Sequence, residues 1–263
     1  MTQDKLKTSV EKLLKLDHLD TLKSQIKSIP YDKTPTQKHY IDQIKHALGL
    51  TRAKHYLKRL LDTFLKPKCK DYNDINLHAW QDYTDIQTDS LWLFDKRDQS
   101  SEHHAGYWGN FVPQIPNQLL RRYTKKGDWI LDPFCGSGTT LIEANKLKRN
   151  AFGIELNQEM VTKTNTLCER LSSKNTCFHG DNTNINYNTL TKQLGIKQVQ
   201  FVIFHPPYWD IIAYSDKQND HSNTKHLDHF LDMLKKTCIN ACSILEPGRF
   251  CALIISDKYQ DSQ

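Results

Sequence analysis

The sequence has 263 residues, 38% of them hydrophobic and 25% charged, with a formal net charge of +6. That length can bury a full core in one large domain, or in one domain with an appendage, and no apolar run approaches the roughly 20 residues that a bilayer-spanning helix needs. The opening MTQDKLKTSV lacks the apolar centre of a signal peptide, and the seven scattered cysteines, with no CxxC pair, read as reduced thiols of a cytoplasmic protein.

The charge is uneven along the chain. Residues 1–70 hold 16 Lys and Arg against 7 Asp and Glu, while the remainder is slightly acidic. A basic leading segment fits a polyanionic partner such as nucleic acid. Its periodicity predicts three amphipathic helices within the first 66 residues. Residues 4–28 carry Leu6, Val10, Leu13, Leu14, Leu22 and Ile26 near helical spacing. Thr34-Pro35 reads as an N-cap with proline in the first turn, and Gly49 closes that helix. Thr51 opens a third, with Tyr56, Leu57, Leu60, Leu61, Phe64 and Leu65 on one face, and Pro67 ends it. Residues 1–67 are therefore expected to be an all-α basic appendage.

Residues 68–105 are polar, aromatic and irregular, and read as a linker with a short strand around LWLF. The adjacent His103 and His104 point in different directions on most backbones, so no metal site is expected. From residue 106 a second domain is expected, and from residue 117 strand and helix patterns alternate. Apolar strands around DWILDPF, NAFGIEL, NTCFHGD, QVQFVIF and RFCALIIS alternate with helical stretches. That pattern predicts an α/β fold with a parallel, doubly wound Rossmann-like sheet.

In such sheets ligands lie beyond the carboxyl ends of the strands. The first strand runs into LDPFCGSGTT, where Gly136 and Gly138 permit a sharp turn and close approach. A dinucleotide fingerprint would need a glycine at Leu141, and GxxxxGK[ST] is absent. Asp132 before the turn disfavours a pyrophosphate and favours an ammonium group, and Thr139 and Thr140 follow it. Glu155 ends the second strand, where a Rossmann acid hydrogen-bonds ribose hydroxyls, and Asp181 after the third could accept from an adenine amine. Amino acid, ribose and adenine together describe S-adenosylmethionine.

LDPFCGSGTTLIEA resembles the first motif of the DNA methyltransferases that modify amino groups, at adenine N6 or cytosine N4, and FHPPYWD resembles their catalytic (D/N/S)PP(Y/F/W) motif. The segment HHAGYWGNFVPQIPNQLLRRY looks like the one that closes over the methionine part of the cofactor. The resemblance covers about residues 103–257. It implies a Rossmann-like S-adenosylmethionine-dependent methyltransferase, with Asn110, Phe111, Asp132, Pro133, Phe134, Gly136, Gly138, Thr139, Thr140, Glu155 and Asp181 at the cofactor. The base site would comprise His205, Pro206, Pro207, Tyr208 and Trp209. An exocyclic amine is a poor nucleophile because its lone pair is delocalised into the ring. Acceptors at residue 205 and the Pro206 carbonyl would turn it toward the methyl group, Tyr208 would stack on the base, and Trp209 would wall the pocket. The base must leave the duplex to arrive there, so double-stranded DNA with a flipped base is the implied substrate.

Two departures stand out. Residue 205 is His where the family has Asp, Asn or Ser, and a neutral imidazole offers one acceptor nitrogen while a protonated one offers none. Activity is therefore expected to fall as His205 protonates. The chain also stops at ISDKYQDSQ, so the domain is expected to lack its last strands and to need a partner chain completing the sheet, or a target-recognition subunit. The alternatives are an RNA methyltransferase, or a weak or inactive S-adenosylmethionine- or DNA-binding subunit of a split enzyme. His221, His226 and His229 suggest a metal less well than a mobile substrate loop.

Overall fold

The computed structural model describes residues 3–29, 34–64, 72–100, 102–103 and 109–257. Cys69, Pro67, His104 and the final YQDSQ lie outside them. The chain divides into two compact units, Met1–Asp71 with Ile75–Trp92, and Tyr72–Asp74 with Leu93–Gln263. Among the described residues no helix is long and apolar enough to cross a membrane.

The first unit contains α1 (Gln3–Leu14), α2 (Leu19–Ile26), α3 (Pro35–Lys45) and α4 (Leu50–Phe64). The single helix expected over residues 4–28 is broken, with His18 extended at φ −119° and ψ 128°. A continuous helix of that length would run about 38 Å, too far for both halves to face one small core. The break lets Val10 and Leu13 of α1 and Leu22 and Ile26 of α2 join Ile41, Ile44, Leu57 and Leu60 in one buried cluster. Thr34 caps α3 as its sequence indicates, its hydroxyl accepting from Gln37 N at 3.3 Å. The strand expected around LWLF does not form: those residues are irregular, and Leu91 and Leu93 are exposed. With both leucines in solvent there is no apolar face for a strand to bury.

The second unit is a five-stranded, all-parallel sheet. Its elements in chain order are α5 (Gln114–Tyr123), β1 (Trp129–Asp132), α6 (Thr139–Lys146), β2 (Asn150–Glu155), α7 (Gln158–Arg170), β3 (Thr176–His179), α8 (Tyr187–Gln193), β4 (Val199–Phe204), α9 (Leu227–Cys242) and β5 (Leu245–Leu253). The strand order is β3-β2-β1-β4-β5. Apolar residues alternate between the two faces. Ile130, Phe201 and Ile203 enter one cluster with Leu120, Leu141 and Val161, while Leu131, Val202 and Phe204 enter the other with Tyr187, Leu190 and Ala241. Both faces are covered by helices, which explains why β1 and β4 read as continuous apolar runs. The outer edge of β5 carries no further strand among the described residues; Cys251, Leu253 and Ile255 are exposed there.

The order reverses between β1 and β4, which pair directly through Ile130 with Phe201 and Leu131 with Val202. Such a switch point opens a crevice at the carboxyl ends of the strands.

Candidate active site

The glycine-rich turn follows β1. Gly136 (φ 49°) and Gly138 (φ 82°) are left-handed, a conformation in which a Cβ is strained. Cys135 N bonds the Ile154 carbonyl at 3.0 Å, and Gly136 N donates to Glu155 Oε2 at 2.9 Å, so β2 holds the turn in place. Gly153 makes that approach possible: a Cβ there would lie 2.3 Å from Cys135 Sγ.

A cleft of about 980 Å3, partly open to solvent, lies over this turn. Asn110, Phe111, Pro133, Phe134, Gly136, Thr139, Glu155 and Asp181 line it, and so do His205, Pro206, Pro207 and Tyr208. Motif residues 130 to 208 that are distant in sequence thus share one wall because β1 and β4 are neighbours. Asn110 is held to Ser137 at 2.7 Å, and Arg97 donates to the carbonyls of Asn110 and Phe111 at 3.2 and 3.1 Å.

Asp132, Gly138, Thr140 and Trp209 do not line the cleft. Asp132 is 1% exposed and its Oδ1 accepts from Phe134 N at 2.9 Å. Burial, partly offset by the neighbouring Thr140 hydroxyl and the bond from Phe134 N, pushes its pKa up to about 6. Its carboxylate is turned inward against the Phe134 amide. Trp209, at φ 54°, donates its indole N–H to the Thr224 carbonyl at 2.9 Å.

The two remaining acids differ. Burial raises Glu155, whose carboxylate accepts from Gly136 N and from Asn157 N at 2.8 Å. Burial alone would raise Asp181 too, but hydrogen bonds from Thr183 and Asn219 outweigh it, and its pKa ends below the ordinary value. Two carboxylates along a glycine-lined cleft suit a ligand rich in hydroxyl and amine donors, so the residues fit S-adenosylmethionine.

At the other end, His205 is half-buried, and desolvation lowers its pKa to about 4. Its Nε2 lies 2.8 Å from Tyr208 Oη, and Phe111 packs on its ring with centroids 4.4 Å apart. The imidazole is therefore neutral at pH 7.

Sequence reasoning missed Gly109, Asn182, Ile211, Ile212, Tyr214, Asn219 and Asp220 in the cleft wall. Gly109, at φ 83°, sits so close to Tyr214 that a Cβ would lie 1.9 Å from its Oη. The available signal was the run IIAYS after HPPYW. The loop beyond it, expected to be mobile, is tied by hydrogen bonds: Asp220 accepts from Ser215 Oγ at 2.7 Å and from Ser222 Oγ at 2.6 Å. The three loop histidines do not gather. His221 is buried beside Phe134, while His226 and His229 are exposed.

Among the described residues one group of metal-capable side chains exists, Asp98, His103 and Glu143. Lys146 already occupies it, 2.8 Å from Glu143 and 3.0 Å from Asp98. His103 and Asn117 each contact Glu143 at 2.6 Å. The ammonium supplies the positive charge, so the group reads as an ion-pair network that reaches from buried Glu143 to the surface at Lys146.

A family model described as DNA methylase matches residues 7–166, more than half of the chain, and one described as RMKL-like, methyltransferase domain, matches residues 119–220. The Type II methyltransferase M.MjaII of Methanocaldococcus jannaschii is 34% identical over 82 residues, 29% of this chain and 16% of that protein. M2.DpnII of Streptococcus pneumoniae is 47% identical over 55 residues, 19% of this chain and 20% of that protein. A probable tRNA (guanine(10)-N2)-dimethyltransferase of Methanothermococcus thermolithotrophicus is 34% identical over 118 residues, 43% of this chain and 67% of that protein. The matches span only 16%, 17% and 25% of M.MjaII, M.MjaI and M.BglI. Among solved structures, TrmN from Thermus thermophilus aligns with a TM-score of 0.41 at 20% identity, over 54% of this chain and 38% of that one, too partial a likeness to bear on substrate.

Proposed function

Since the chain belongs to the DNA methylase family, with S-adenosylmethionine as its cofactor, we propose that it methylates an exocyclic amino group, adenine N6 or cytosine N4, of a base flipped out of duplex DNA. One observation carries this reading: the glycine turn after β1 and the His205-Pro206-Pro207-Tyr208 elbow after β4 end adjacent strands and line one cleft.

When bound, S-adenosylmethionine supplies an electrophilic methyl group on a sulfonium. The chain's residues would do the rest by positioning. The glycine turn lets backbone approach the donor, and Glu155 and Asp181 offer acceptors to its hydroxyl and amine groups. Phe111 packs against His205 and holds the ring at the junction of the two halves. The target amine donates to the Pro206 carbonyl and to an imidazole nitrogen of His205, drawing its lone pair out of conjugation and toward the methyl. Low pKa keeps that nitrogen unprotonated, so His205 serves at neutral pH where an Asp, Asn or Ser oxygen would serve. The basic first unit would add phosphate contacts, which deleting residues 1–66 would remove along with salt-sensitive binding.

An RNA substrate is the second reading. The relative named as a probable tRNA (guanine(10)-N2)-dimethyltransferase favours it, since guanine N2 is also an exocyclic amine. The test is transfer of labelled methyl from S-adenosylmethionine to mixed-sequence duplex DNA and, in parallel, to total tRNA, followed by base analysis. N6-methyladenine or N4-methylcytosine in the DNA is the expected product. Label in RNA alone would reverse the assignment, and cofactor binding without transfer to either polymer would leave the inactive-subunit reading.

A further inference from the structure

The loop that follows the catalytic elbow does not stay over its own strand. β4 and β3 are separated by β1 and β2, so their ends lie three strand spacings apart, about 14 Å. Residues 211–223 cross that distance. Lys217 Nζ donates to the carbonyl of Leu156, just past the end of β2. Asn219 Nδ2 donates to Asp181 Oδ2 at 3.0 Å, just past the end of β3. The crossing segment is internally braced: Asp220 accepts from Ser215 and Ser222, and Asn223 Nδ2 donates to the carbonyls of Ser215 and Lys217 at 2.6 and 2.9 Å. Its near end places Ile211, Ile212 and Tyr214 in the wall beside His205 and Tyr208, and its far end places Asn219 and Asp220 beside Glu155 and Asp181.

We propose that Lys217 and Asn219 are positioning residues that couple the two ligands of this cleft, the methyl donor and the DNA base, to one another. A donor held by Asp181 fixes the acid to which Asn219 is bonded. The braced loop carries that constraint to the wall on which the base rests. Each ligand then finds part of its site already ordered by the other, and linkage requires the effect to be reciprocal. The inference rests on the methyltransferase reading given above. It adds that the two halves are tied through this loop as well as through the shared sheet.

The test uses the full chain, S-adenosylhomocysteine and a random-sequence duplex pool. Duplex affinity is measured with and without saturating S-adenosylhomocysteine, for the wild type and for Lys217→Ala/Asn219→Ala. In the wild type the cofactor product is expected to tighten duplex binding about 5-fold or more. In the double variant the ratio falls to about 1, while S-adenosylhomocysteine alone still binds and the melting temperature without ligand stays put. Asn219→Leu, of similar size and uncharged, guards against a folding defect: it removes the donor to Asp181 without adding charge and is expected to lower the ratio as well. A ratio unchanged in the variants, or a ratio of 1 in the wild type, overturns the coupling. A wild type that binds no S-adenosylhomocysteine overturns the reading beneath it, and the coupling with it.

Discussion

His205 Nε2 and Tyr208 Oη lie 2.8 Å apart, so the elbow's histidine is already hydrogen-bonded to its own aromatic neighbour. If the phenol donates, the proton on the imidazole sits on Nδ1 and the ring has no lone pair left for a substrate amine. If Nε2–H donates to the phenol oxygen, Nδ1 is the free acceptor. Catalysis needs the second arrangement, or displacement of Tyr208 by the arriving base. Tyr208→Phe removes the competing donor while keeping a ring to stack. We expect it to retain activity within about tenfold, whereas His205→Ala loses about 100-fold or more, the scale of a lost transition-state contact. His205→Asn restores an acceptor oxygen and is expected to recover most of the loss. Initial rates at saturating cofactor check all three.

Burial lowers the His205 pKa to about 4, which shifts where acid should act. The acceptor is lost only on protonation, so the rate should be flat from pH 8 to pH 5.5 and decline toward pH 4. The fall in activity expected as His205 protonates is thus moved to the region of pH 4. The sign for stability is the reverse of a partnered histidine's. The unfolded chain binds the proton first, so stability falls as pH drops from about 6.5 toward about 4. A rate inflection near pH 6.5 that vanishes in His205→Asn would show an exposed imidazole instead.

Asp132 is a second pH sensor of opposite origin. Its pKa is raised to about 6 from 3.8, chiefly by burial, so the folded state takes up a proton that the unfolded state releases. Its contribution is most favourable below pH 3.8 and is lost as pH rises through 6, a cost of roughly 3 kcal/mol at neutral pH. Asp132→Asn cannot titrate. Denaturant melts at intervals between pH 4 and pH 7 should show its stability gaining on the wild type as pH rises.

Gly153 and Cys135 form a tight contact in which an added methyl has 2.3 Å to Sγ and 2.5 Å to Cβ. Gly153→Ala should destabilise by about 1–3 kcal/mol through overpacking and displace the glycine turn, weakening cofactor binding. Cys135→Gly empties the opposing space. In the double variant, melting temperature and cofactor affinity should both return part of the way, a recovery that two independent defects would not give.

Glu143 sits at 0% exposure with His103, Asn117 and Lys146 on its oxygens. Glu143→Ala leaves the buried His103 ring and the Asn117 amide without their acceptor, while Lys146 keeps Asp98, and should cost about 1–3 kcal/mol. Since Lys146 fills the position a cation would take, chelation should leave the melting temperature unchanged, and a fall on chelation would point to a bound ion.

How far the sequence foretold the structure varied with the kind of signal. The turn at Gly136 and the elbow at His205 were legible because backbone constraints, glycine freedom and proline rigidity, are local. The parallel sheet with helices on both faces followed from alternating strands and helices. That Asp132 lies behind the cleft wall was not legible because a strand-end acid carries no mark of which way its carboxylate turns. The Trp209 orientation was not legible because its left-handed backbone is invisible in a run of aromatics. The break between α1 and α2 reflects packing of both halves on one core, which periodicity alone does not encode. The braced loop from Ile211 to Asn223 eluded the sequence because its hydrogen bonds join residues whose short polar side chains are common in any loop.

The outer margin of β5 meets no described strand. Among the described residues no rail faces the ladder of its amide and carbonyl groups, and the side chains of Cys251, Leu253 and Ile255 beside it are exposed. Any extended segment that drifts past can dock there, including the same margin on a sister molecule. Crowding should therefore drive self-association of this chain. Leu253→Lys should hold preparations dispersed.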